Sequence, residues 1–203
     1  MLCATACFCF FQPAARAQKL GLDARTLMEL QEHRNTTRTA VLEKLSNTTQ
    51  LTTIMLPVTV LAAGLIQNDK ATLKKGLYIA ESIAVAELVT FGLKYSVKRQ
   101  RPFEKNNCII SANGGAGSPS FPSGHTSAVF SAATSLTIAY PKWYVAVPAY
   151  AWAGSVAFSR MYLGVHYPSD VAAGAIIGAG SAWLCYKANK WLFKKKPSEV
   201  IQF

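Results

Sequence analysis

The chain is built from long apolar runs joined by short basic or polar connections. The runs fall at about Leu51 to Ile66, Gly76 to Leu93, Thr126 to Tyr140, Trp143 to Phe158 and Val171 to Tyr186. Each is too long for one strand, and no alternating pattern of period two is present, so the runs predict helices. Ahead of them, Asp23 to Asn47 is polar with recurring leucines (Leu27, Leu30, Leu42, Leu45), which predicts an amphipathic helix or a pair of helices. The whole pattern is that of an all-α bundle of about five to six helices. Small residues crowd the last run (Ala172, Ala173, Gly174, Gly178, Gly180), as close helix contacts in a membrane require. The connection Phe103 to Phe121 carries Gly114, Gly115, Gly117 and Pro119, and predicts a mobile loop.

Three short motifs lie in the connections and at the run ends. They are Lys94-(six residues)-Arg101-Pro102, Pro122-Ser123-Gly124-His125, and Ser159-Arg160-(five residues)-His166-(three residues)-Asp170. Their residue types suit phosphoryl transfer. A phosphoryl group in flight spreads negative charge over its equatorial oxygens, and fixed cations and N–H donors stabilise it. Lys94, Arg101 and Arg160 supply cations, the two arginines as bidentate forks. Ser123 and Gly124 add donors where Pro122 and an apolar run mark a helix start, a place that favours an anion. His166, with the Asp170 carboxylate four residues on, has the makings of an oriented nucleophile, which leaves His125 to protonate the departing oxygen. Singly, these residues have plainer readings: Ser123 as an N-cap, Asp170 as a first-turn acid, and Lys98-Arg99-Gln100-Arg101 as a juxtamembrane patch. Jointly, eleven fixed positions at about 5% usage each have a chance expectation on the order of 10^-14 per placement.

Over roughly Lys94 to Asp170 the chain resembles the type-2 phosphatidic acid phosphatase superfamily, whose fold is shared with vanadium-dependent haloperoxidases and bacterial class A acid phosphatases. All the fixed positions of the three-part signature are matched. The resemblance implies His166 as nucleophile, Asp170 as its orienting partner and His125 as general acid. Lys94, Arg101, Ser123, Gly124 and Arg160 would hold the phosphate. It also implies hydrolysis without a metal or other cofactor. The ten acidic residues agree, since none forms a metal-ligand cluster with histidine or cysteine in the sequence.

Composition bears on where this chemistry takes place. Hydrophobic residues make up 51% and charged residues 15% of the 203 residues, on the membrane side of ordinary usage. The formal charge of +11 comes without a nucleic-acid module, so an anionic lipid surface is the expected partner rather than nucleic acid. The runs are shorter than the ~20 residues that typically span hydrocarbon, and Glu81 and Glu87 lie inside the second, which favours a soluble bundle unless they pack against interior cations. Glu87 and Lys94 are two turns apart on one helix face. Charge topology argues for the membrane. If all motifs share one side, the other side receives Lys70, Lys74, Lys75, Lys142, Lys187, Lys190 and Lys194 to Lys196, against only Asp69 and Glu199. That is the positive-inside pattern, with the motif side facing the periplasm or outer surface.

Residues 1–17 read as a signal peptide or N-terminal anchor, with apolar Leu2 to Phe11 ahead of Ala15-Arg16-Ala17, although the stretch before Arg16 has no basic residue. Residues 18–203 then form a single phosphatase domain. Cys108 and Cys185 fall toward opposite ends of the helices and are not expected to pair. The expected function is hydrolysis of a phosphomonoester or pyrophosphate on a membrane lipid through a phosphohistidine, in a bacterial inner membrane. Alternatives are a soluble secreted acid phosphatase of broad specificity, a vanadate-dependent haloperoxidase and a non-enzymatic membrane scaffold. The sequence leaves open which lipid is the substrate and the oligomeric state.

Overall fold

The computed structural model describes residues 21–112 and 117–193. Seven helices and no strand occur among the described residues: α1 (Leu22–Glu32), α2 (Thr36–Ile66), α3 (Lys70–Val97), α4 (Pro102–Lys105), α5 (Gly124–Ala139), α6 (Trp143–Tyr162) and α7 (Pro168–Phe193). Six of these are full helices, as the pattern of apolar runs predicts; α4 is a single turn within the expected loop. The leader expected at 1–17, the loop centre 113–116 and the lysines at 194–196 lie outside the described residues.

The helices are longer than their apolar runs because their ends are polar and capped. Asn35 caps α2, its side chain accepting from the Arg38 amide at 2.8 Å, so the polar stretch 36–50 forms the first four turns of α2 rather than a separate amphipathic helix. Asp69 caps α3 through the Ala71 amide at 2.9 Å and the Thr72 hydroxyl at 2.6 Å. Lys98, with φ of 51°, ends α3 in the left-handed conformation. With these extensions α2, α3 and α7 are long and apolar enough to cross a membrane, which removes the objection raised by run length. Large apolar side chains such as Ile54 and Val58 on α2, Leu88 and Phe91 on α3, and Ile176 and Leu184 on α7 face outward, the surface a bilayer would cover.

Helix α5 is the centre of the bundle, packed by α2, α3, α6 and α7. Its buried residues are mostly small: Ala128, Ala132, Ala133, Ser127, Ser131 and Ser135. Helix α7 answers with glycines. A Cβ added at Gly178 would lie 2.2 Å from the Ser127 carbonyl oxygen, and one at Gly174 would lie 2.6 Å from the Ser123 carbonyl oxygen. The two backbones therefore touch, as small-residue packing between membrane helices allows. Further polar ties cross the bundle: Tyr78 donates to the Ala182 carbonyl at 2.9 Å and Thr90 to the Ser127 hydroxyl at 2.8 Å. Glu81 accepts from the Asn189 side chain at 2.9 Å, an amide in place of the expected interior cation.

All motif segments meet at one end of the bundle: the end of α3, the α3–α4 connection, the start of α5, the end of α6 and the start of α7. Lysines and aromatic rings gather at the other end, with Lys75 over Tyr140 at 4.5 Å and Lys187 over Trp183 at 5.3 Å.

The α5–α7 contact yields a paired test. Gly178→Val drives a side chain into the α5 backbone, and overpacking of this kind costs about 1–3 kcal/mol, so its unfolding midpoint in detergent should fall clearly. Gly180 has nothing within 4 Å of its added Cβ, and Gly180→Val should leave that midpoint near wild type.

Candidate active site

The start of α5 and the start of α7 bring the second and third motifs together. The Ser123 amide donates to the Asp170 carbonyl at 3.0 Å, joining the two helix N-termini directly. Ser123 is fully buried and caps α5: its Oγ accepts from the Thr126 hydroxyl at 2.9 Å and from the Thr126 amide at 3.5 Å. The plain N-cap role thus holds for Ser123, while its own hydroxyl proton stays available to a phosphate oxygen. Gly124 and His125 are the first residues of α5, where amides have no intrahelical acceptor. His125 is half-buried.

His166 lies in the turn between α6 and α7. Gly164, with φ of +74°, makes that turn possible, and the Val165 and His166 amides both return to the Arg160 carbonyl at 3.2 and 3.3 Å. The imidazole is buried, with its two nitrogens facing opposite kinds of charge. Nε2 sits 3.5 Å from Arg101 Nη1. Nδ1 faces Asp170 Oδ2 at 3.7 Å and makes no hydrogen bond. A cation beside Nε2 and a carboxylate beside Nδ1 favour the tautomer with the proton on Nδ1 and the lone pair on Nε2. Burial pushes the His166 pKa down to about 4; the Asp170 carboxylate pulls it up, and Arg101, Arg160 and Lys94 add to the depression. The ring is neutral and nucleophilic at neutral pH.

Three cations converge beside it. Arg101 is held from several directions: Nε donates to the Ser118 carbonyl at 2.9 Å, Nη1 to the Val165 carbonyl at 3.0 Å and Nη2 to the Ser118 hydroxyl at 3.2 Å. Arg160 donates to Ser46 Oγ on α2 at 2.6 Å, and its buried Nε has no partner. Lys94 Nζ donates to the Pro119 carbonyl at 2.6 Å. A buried guanidinium donor without an acceptor is costly, and a bound oxyanion is the group that would satisfy it.

Asp170 is fully buried and held more firmly than its spacing suggests. Its Oδ2 accepts from Ser120 Oγ at 2.5 Å and the Tyr167 amide at 3.0 Å, and its Oδ1 accepts from Arg99 at 2.6 Å. Arg99 in turn donates to Asp23 of α1 at 2.9 Å and to Ser169 at 2.7 Å, and lies over the Tyr167 ring at 4.1 Å. Asp23 also takes the Ser169 amide at 3.2 Å. For Arg99 the sequence offers only the plainer reading of a juxtamembrane basic patch, and nothing in it singles out Asp23, Ser120 or Ser46. The signal for Arg99 and Asp23 was opposite charge alone, at a separation in sequence that no local spacing rule covers.

Residues 75–194 match the model of the PAP2 superfamily. The chain belongs to this superfamily. Among similar proteins and structures, a lipid A 4'-phosphatase of Bacteroides thetaiotaomicron is 35% identical over 51% of this chain and 52% of its own length. An undecaprenyl-diphosphatase of Sulfolobus acidocaldarius is 32% identical over 73% of this chain and 70% of its own. The crystal structure of Aquifex aeolicus LpxE superposes with a TM-score of 0.73 at 20% identity, covering 84% of this chain and 98% of that one. The aligned segment spans about half the length of the lipid A 4'-phosphatase, and the LpxE likeness shows a shared fold.

The clamp on Asp170 sets an expected outcome for Arg99→Ala. With one carboxylate oxygen released, kcat for phosphate-ester hydrolysis should fall about 10- to 100-fold, the usual range for lost support of a reacting group, with a smaller change in KM. Arg99→Lys, which cannot fork between Asp23 and Asp170, should recover only part of the loss. Unchanged kcat in both variants would show that the clamp is only structural.

Proposed function

We propose that this protein hydrolyses a phosphate or pyrophosphate ester of a membrane lipid through a phosphohistidine intermediate, without a metal ion. The observation that carries the reading is the His166 ring, buried and neutral, with Nε2 beside Arg101, the charges of Arg160 and Lys94 acting on the ring, and Nδ1 toward Asp170. Support for a lipid substrate comes from the exposed apolar helices around the site and from relatives named as lipid A 4'-phosphatase and undecaprenyl-diphosphatase.

In the first step His166 Nε2 attacks phosphorus, the N–P bond forms and the bond to the leaving oxygen breaks. In the free site burial and the neighbouring Arg160, His166, Arg101 and Lys94 push the His125 pKa down to about 3. The bound phosphate dianion offsets the cations, His125 takes up a proton with the substrate, and it gives that proton to the leaving oxygen. Arg101, Arg160, Lys94 and the first amides of α5 hold the equatorial oxygens, where charge develops. Asp170 stabilises the imidazolium that forms, as a carboxylate does in hydrolase triads. In the second step water attacks phosphorus, His125 takes its proton, and the N–P bond breaks to release phosphate and neutral His166. The three fixed cations perform the charge neutralisation that a metal performs elsewhere.

Residues 18–203 act in this reading as one phosphatase domain, behind a leader or anchor at 1–17. The site end of the bundle faces the periplasm or outer surface of a bacterial inner membrane, because the opposite end carries Lys70, Lys74, Lys75, Lys142, Lys187 and Lys190.

The test is phosphate release by purified protein in detergent, from lipid phosphomonoesters, a lipid diphosphate and p-nitrophenyl phosphate. Wild type should release phosphate and give an acid-labile phosphohistidine on rapid quenching. His166→Ala should lose turnover on every ester by several orders of magnitude and give no labelled protein. Turnover in His166→Ala near the wild-type rate would overturn the covalent mechanism.

A further inference from the structure

The leaving group must lie beside the residue that protonates its oxygen. From His125 a groove of about 430 Å3 opens between α2 and α3. Thr49, Gln50 and Thr53 of α2 and Glu87 of α3 give it polar lining, and Ile54 and Ile83 give it apolar wall. Glu87 is the sole acid among the groove-lining residues; Lys94, Arg101 and Arg160 do not line it. The side chain is exposed to the groove and, among the described residues, makes no ion pair or hydrogen bond. Lys94 lies two turns further along α3, about 10 Å in helix rise. Lys94 acts on it as a through-space charge, and a carboxylate within an apolar spanning helix that has no hydrogen bond or close ion pair is costly; such groups mark functional sites.

The sign of that charge bears on the substrate. When a diphosphate is cleaved, the leaving group is itself a phosphate, and it would enter this groove beside the Glu87 carboxylate, which Lys94 offsets only through space while its own ammonium is tied to the Pro119 carbonyl. A sugar or polyol leaving group is neutral and carries hydroxyls. It can donate a charge-assisted hydrogen bond to Glu87 and further bonds to Gln50 and the threonines.

Resting on the phosphatase reading, we infer that the Glu87 groove is a leaving-group subsite that selects lipid phosphomonoesters with a neutral, hydroxyl-bearing leaving group over lipid diphosphates. Gln50 on α2 and Glu87 on α3 line the groove from its two helices, with the Thr49 and Thr53 hydroxyls beside Gln50. The apolar tail of such a lipid would pass over Ile54 to the exposed outer faces of α2 and α3.

The experiment compares kcat/KM for three lipids in one detergent: a 1-acylglycerol 3-phosphate with its free hydroxyl, the same ester lacking that hydroxyl, and a polyprenyl diphosphate. p-Nitrophenyl phosphate serves as the control ester. Wild type should favour the hydroxylated ester over each of the other two by about tenfold or more, the worth of a hydrogen bond to a charged group. Glu87→Lys should shift the ratio toward the diphosphate by at least that factor, and the isosteric Glu87→Gln should shift it in the same direction by less. If Glu87→Lys does not fold, Glu87→Gln and the wild-type ratios decide. A wild-type preference for the diphosphate, or ratios unmoved in Glu87→Gln while p-nitrophenyl phosphate is still hydrolysed, would overturn the inference and leave the phosphatase reading standing. No phosphate from any ester, the control included, would overturn that reading and the inference with it.

Discussion

The contact between the backbones of α5 and α7 is the constraint on which the rest of the site depends. Gly174 and Gly178 leave no room for a side chain against Ser123, Ser127 and Ser131. That closeness lets the Ser123 amide reach the Asp170 carbonyl and seats two helix N-termini side by side. Both carry the positive ends of their dipoles to the same place. The site is therefore electropositive before any side chain is counted. His125 and Asp170, on the first turns of α5 and α7, are fixed by backbone packing rather than by loops, which is how geometry accurate enough for in-line transfer is kept.

Around this contact the protein gathers cations that repel one another and sets a neutral imidazole among them. Lys94, Arg101 and Arg160 are each tethered by carbonyls or hydroxyls, namely Pro119, Ser118, Val165 and Ser46. Tethering by neutral acceptors holds the charges in place without cancelling them. The carboxylate that faces His166, Asp170, is itself held by Arg99, Ser120 and the Tyr167 amide. Its charge thus reaches Nδ1 from a fixed position. The excess positive charge that remains is available to a phosphate, and α2, α3 and α7 present apolar outer faces around the bundle.

How much of this the sequence shows depends on the range of the interaction. The motif residues were legible because their chemistry is local and their spacing strict: Arg160 and His166 belong to one helix end and turn, and Asp170, on the first turn of α7, follows His166 by four residues. Helix existence was legible from the apolar runs, but helix length was not, since caps such as Asn35 and Asp69 extend α2 and α3 through polar residues. The Asp23–Arg99–Asp170 clamp was hidden. Three segments far apart in the chain form it, and Arg99 within Lys98-Arg99-Gln100-Arg101 looks like any basic residue at a membrane edge. Glu87 stood out as an anomaly, an acid in an apolar run, and its place beside His125 became visible only once α2 and α3 framed the groove.

The central claim is that phosphorus passes to His166 before it passes to water. The stereochemical course at phosphorus tests this most directly, using a substrate whose transferred thiophosphoryl group is made chiral with oxygen isotopes and hydrolysed in labelled water. Two successive in-line displacements, the first at His166 Nε2 and the second by water, give overall retention of configuration, and retention is the expected result. Overall inversion would mean a single direct attack by water, and would contradict the account.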